Sequence, residues 1–115
     1  MKTNYYRDRD GQKATSVIDL GCAQELEIST RRWSDGSLIT SASVHRINGA
    51  SRVHVIGFNG DGDYTKRLVL SRPSRVTAAV VKSQHDQCLT RLPALLQEVE
   101  QHYLALQDKQ KKEAS

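Results

Sequence analysis

The sequence predicts an α+β chain in which an N-terminal antiparallel β-meander precedes a short strand and two helices. Three observations predict it. Apolar residues alternate with polar ones from Val17 onward, the period of a half-buried strand. The turn dipeptides of "WSDGS" (33–37) and "INGAS" (47–51) cut that region into strands. Beyond the loop "NGDGD" (59–63) the apolar spacing lengthens to the three-to-four residue period of a helix.

Residues 1–15 are polar apart from Tyr5 and Tyr6 and read as a flexible arm. In the β-rich extension over 16–60, Ile18, Leu20, Cys22, Leu26 and Ile28 share one parity, with Gly21 as the bend or bulge. Leu38, Ala42 and Val44 form one face of the next strand. "RVHVIGF" (52–58) is a third strand, rich in β-branched residues. "NGDGD" marks a unit boundary, and "YTKRLVLS" (64–71) is a short strand with Thr65, Arg67 and Val69 on one side and Lys66, Leu68 and Leu70 on the other. Residues 75–82 admit strand or helix. Helix is favoured by Ser71 as a cap, Pro73 in the first turn and the spacing of Val76, Ala79, Val80 and Ser83. The final helix carries Leu92, Leu95, Leu96, Val99, Tyr103 and Leu106 on one stripe, with Thr90 as N-cap and a charged tail over 108–115.

Composition bounds the function classes. The chain has 115 residues, 37% hydrophobic, and a net charge of +4; its mean hydropathy is −0.58. No stretch approaches the roughly 20 apolar residues of a membrane span, and the first residues lack the apolar core of a secretory signal, so a cytoplasmic location is expected. Cys22 and Cys88 form no C-x-x-C motif and read as reduced thiols. The positive charge concentrates in residues 41–82, seven Lys/Arg against two Asp/Glu, which suits a polyanion.

Residues 64–107 are expected to form one strand–helix–helix unit, which over 64–106 resembles the ribbon-helix-helix family of DNA-binding proteins, of Arc, MetJ and CopG type. The resemblance rests on "TKRLVLS", the proline of "SRPSRV", the polar cap of "LTR" and the stripe in "LLQEVEQHYL". A departure is the absence of glycine between the helices in "HDQCLT". The resemblance implies a homodimer whose paired strands enter the major groove of double-stranded DNA, with Leu68 and Leu70 in the dimer core. Thr65, Arg67 and Val69 would face bases, Arg67 matching a guanine edge, and Arg72, Arg75, Thr90 and Arg91 would face phosphates. Lys66, Arg31, Arg32, Trp33, Arg46 and Arg52 are further candidate nucleic-acid contacts. A transcriptional regulator of this kind could use its β-rich extension to meet RNA polymerase or another protein.

Two other readings stay open. A curved sheet with Trp33, Phe58 or Tyr64 as stacking platforms would suit single-stranded nucleic acid. A protein-interaction module, an antitoxin or inhibitor, would bring the basic patch to an acidic partner. Enzymatic chemistry, a cofactor and a metal site are not expected. Asn59, Asp61 and Asp63 begin like a calcium loop, but Tyr64 and Leu70 stand where it needs Gly and Glu. His85 and Cys88 supply two ligands where zinc needs three or four. No nucleophile-elbow signature is present.

Overall fold

The apolar alternation builds a single antiparallel sheet, and both helices cover one of its faces. In the computed structural model the described backbone comprises residues 1–21, 24–48, 51–54 and 65–114, with side chains described for 1–21, 24–45, 66–102 and 104. The strands are β1 (Lys2–Asp8), β2 (Gly11–Gly21), β3 (Gln24–Arg32), β4 (Leu38–Asn48), β5 (Ser51–His54) and β6 (Thr65–Ser71); the helices are α1 (Ala78–Leu89) and α2 (Leu92–Ala114). The sheet order is β1-β2-β3-β4-β5, with β6 also on β4. β5 pairs with residues 45–48 of β4 and β6 with residues 38–43. The two short strands thus share the fifth position of one meander.

This pairing overturns the ribbon-helix-helix architecture. That fold needs β6 to lack a partner in its own chain, so that a second copy must supply one. Here β6 hydrogen-bonds to β4, and the sheet is one five-position meander followed by two helices. The expected unit boundary at 59–63 lies outside the described residues, and β6 beyond it joins the sheet of the preceding strands. Of the two leucines assigned to a dimer core, Leu68 packs within the chain on Leu26, Ile28, Ala42, Val44, Leu95 and Val99, and Leu70 is exposed.

The N-terminal arm is also a strand. β1 lies against β2 over its whole length, Lys2 opposite Val17 and Asp8 opposite Gly11. Polar composition hid it, because an edge strand over a helix flank needs little apolar surface. Tyr5 leans over α1: its hydroxyl donates to Asp86, its ring stands nearly perpendicular to that of His85 with centroids 6.1 Å apart, and Lys82 Nζ lies 4.7 Å from its ring centre. The even-parity run from Ile18 to Ile28 belongs to two strands, not one. β2 ends at Gly21 in left-handed backbone (φ 80°), with an irregularity between Asp19 and Gly21, and β3 returns from Gln24.

α1 begins later than Ser71 and Pro73 suggested. Ser71 is the last residue of β6, and Thr77 takes the cap with extended backbone (φ −99°, ψ 167°), its hydroxyl accepting from the Val80 amide at 3.2 Å. Residues 78–82 are therefore helical. Val81 packs with Ala14 and Leu38 in a second cluster. Thr90 does not cap α2. It ends α1 in right-handed backbone (φ −66°, ψ −19°), and its hydroxyl donates to the Gln87 carbonyl at 2.6 Å. Right-handed backbone at the join explains how the helices connect without glycine. α2 continues to Ala114, through the segment expected to be a frayed tail. Among the described residues no helix is long and apolar enough to cross a membrane.

Candidate functional site

The sheet's pleat sorts its side chains into two faces with different chemistry. Most residues facing the helices are apolar or carry hydroxyls bonded within the protein. Ser16 Oγ and Thr30 Oγ1 lie 2.7 and 2.9 Å from the two ring nitrogens of His85, Thr30 bonds Thr40 at 2.7 Å, and Gln84 Nε2 donates to the Leu38 carbonyl and to Thr40. Ser71 donates to Gln84 Oε1. This network is buried: Ser16, Thr30, Thr40 and His85 are fully covered. Burial pushes the His85 pKa down, with the Asp86 charge opposing, so the ring is held neutral. Both of its nitrogens are occupied, and among the described residues no group of three His, Cys, Asp or Glu is placed to hold a metal ion. Cys88, also buried, has its thiol pKa raised by the same desolvation.

The opposite face is polar. Register places Lys13 beside Arg31, and Arg31 beside Ile39. Two residues further along each strand, Thr15, Ser29 and Ser41 are neighbours, with Arg67 next to Ser41 on β6. Further still, Glu27 pairs with Ser43 and Glu25 with His45; His45 Nε2 lies 3.2 Å from Glu27 and 2.9 Å from Ser43. Charge is therefore graded along the strands, basic toward the β3–β4 turn and acidic away from it. A shallow basin of about 410 Å³ spans this face, lined by Ser29, Arg31, Trp33, Ile39, Ser41 and Arg67 together with the Glu27, Ser43 and His45 end.

The β3–β4 turn positions the aromatic group. Gly36 adopts φ 88°, a left-handed conformation that glycine takes without strain. The Trp33 amide donates to the Ser37 carbonyl at 2.8 Å, and the Gly36 amide donates to the Trp33 carbonyl at 2.9 Å. Asp35 accepts from the Ser37 amide and hydroxyl, bonds that lower its pKa with a smaller contribution from Arg72. The rigid turn leaves Trp33 44% exposed, with the Arg31 guanidinium 5.2 Å from its ring centre, a cation–π contact. A second basin beside it is lined by Arg9, Asp10, Lys13, Arg31, Arg32 and Ser34 as well as Trp33. Lys13 is bound to Asp8 at 2.7 Å and lies 3.6 Å from Asp10, and the Asp8 bond raises its pKa. Arg9, Arg31, Arg32 and Arg67 have no ion-pair partner among the described residues.

No protein-family model, curated protein or solved structure matches the chain.

The structure gathers some expected residues and scatters others. Arg31, Trp33 and Arg67 come together around one basin, and Arg32 joins Arg31 and Trp33 in its neighbour. Val69 does not share Arg67's face. An irregularity opposite Thr40 and Ser41 inserts an extra residue, which turns Val69 toward Ala79 and Val80 of α1 and leaves Leu70 41% exposed. Lys66 points to the helix side and binds Glu98 of α2 at 2.8 Å. Arg91 reaches the Leu68 carbonyl at 3.5 Å, Arg72 and Arg75 are exposed between β6 and α1, and the Thr90 hydroxyl is spent on Gln87. Arg46 and Arg52 lie on β4 and β5, but their side chains, that of Thr65, and Phe58 and Tyr64 fall outside the described residues. Sequence reasoning missed Arg9, Lys13, Ser29 and Ser41. For Lys13 the signal was present, because the alternation continues upstream of Val17 through Lys13 and Thr15.

Proposed function

We propose that the chain binds single-stranded nucleic acid on the uncovered face of its sheet. The observation that carries this reading is Trp33, half-exposed under Arg31 at the rim of a basin that also holds Arg67. Base–aromatic stacking contributes about 1–3 kcal/mol per base and tolerates any sequence, and the arginines supply phosphate contacts. A broad, shallow, polar face suits an extended strand whose bases are splayed. The carboxylates at the far end repel phosphate and confine the strand to the Trp33 end. The duplex reading, in which paired β6 strands enter a major groove, loses its support with the ribbon-helix-helix fold.

Trp33 is the only tryptophan, so its emission reports directly on the site. Titration with a single-stranded dodecamer should quench it, and the same sequence as a duplex should bind more weakly. Arg31→Ala and Arg67→Ala should each weaken binding. Each should also reduce the slope of log affinity against log salt by about 0.7 for every phosphate that is no longer neutralised. Preference for duplex, or no binding to either form, would overturn the proposal.

A further inference from the structure

The geometry points to a preference for RNA over DNA on this face, an inference that rests on the single-strand reading above. Two cations mark the path of the backbone. Arg31 lies on β3 and Arg67 on β6, with β4 between them, and Arg67 is offset by one pleat repeat, about 7 Å along the strands. Ser29 and Ser41 face each other across β3 and β4 in the same row as Arg67, one pleat repeat from Arg31, so a strand whose phosphates rest on both arginines runs beside the two serines. Beyond the serines come Glu27 and then Glu25 on β3, so a shift of the backbone past the hydroxyls in that direction brings phosphates onto carboxylates.

The two serines are equipped for this contact. Both are half-buried in the basin floor, and neither hydroxyl has a hydrogen-bond partner among the described residues. Their counterparts on the helix-covered face, Ser16, Thr30 and Thr40, are all bonded to protein. A serine hydroxyl both donates and accepts, as does the ribose 2′-hydroxyl by which a protein tells RNA from DNA. Deoxyribose offers neither function.

The test compares fluorescence anisotropy of labelled dodecamers of uridine, deoxyuridine and 2′-O-methyluridine, with wild-type protein and the S29A/S41A double variant. Wild type should bind the ribo-oligomer about three- to tenfold tighter than the deoxy-oligomer, the worth of one or two ordinary hydrogen bonds. The methylated oligomer, which cannot donate, should fall between them. In S29A/S41A the ribo-oligomer should drop to the deoxy level while deoxy binding changes less than twofold, with circular dichroism confirming the fold. Equal wild-type affinities for the ribo- and deoxy-oligomers, or a double variant that loses both alike, would overturn the ribose preference and leave the single-strand reading standing. Binding of neither oligomer would refute that reading and this one together.

Discussion

Replacing His85 with glutamine should flatten the dependence of stability on pH between neutrality and mild acid. His85 is fully buried, with Ser16 on Nε2 and Thr30 on Nδ1. Desolvation lowers its pKa below the ordinary 6.5, against a smaller opposing pull from Asp86. As pH falls below 6.5, the unfolded chain takes up the proton first. Unfolding then gains protons, so stability is fully present above 6.5 and is lost as pH falls toward the lowered folded value. The slope for one such group cannot exceed about 1.4 kcal/mol per pH unit. The carboxylates of Asp8, Asp35 and Asp86, lowered mainly by Lys13, Ser37 and Lys82 respectively, act only near and below their ordinary 3.8, outside this window. Glutamine is neutral throughout and can still bond a hydroxyl, so H85Q should cost about 1–3 kcal/mol at pH 8 and lose His85's share of the slope. Urea titrations of both proteins at several pH values between 5 and 8 give the comparison. Parallel curves, or a His85 ring that titrates at or above 6.5 by NMR, would refute the account of a ring held neutral by burial.

Other perturbations test the scaffold. Leu26→Ala, at a fully buried position in the main cluster, should lower unfolding free energy by about 2–5 kcal/mol in urea denaturation. Thr77→Ala removes the hydroxyl that accepts from the Val80 amide; a loss of about 1 kcal/mol is expected in the same assay. At Gly36 an added methyl would meet nothing within 4 Å, but φ 88° is unfavourable for alanine, so Gly36→Ala should cost about 1–2 kcal/mol from backbone alone and shift Trp33 emission. Lys66→Ala breaks a half-exposed pair with Glu98 and should change thermal stability by less than about 1 kcal/mol.

Local pattern was enough to specify the α+β class, the Asp-Gly turn at Trp33, the odd–even sorting of β3 and β4 and the apolar stripe that seats Leu95 and Val99. These follow from local rules: a period of two or of about 3.6 residues, and a glycine where backbone must turn left. Arg67 was legible as a candidate only through the ribbon-helix-helix resemblance, and Arg31 and Trp33 through their place in "RRW" beside the Asp-Gly turn. Which strand β6 pairs with is set by long-range contacts. Its residues suit a dimer ribbon and the fifth position of a meander equally, because backbone hydrogen bonds carry no sequence label. Once β4 takes that edge, an inserted residue sends Val69 to the helices, and Thr90 becomes the end of α1. Ser29 and Ser41, silent as sequence, become neighbours between two arginines because long-range register alone sets which outward side chains share a row.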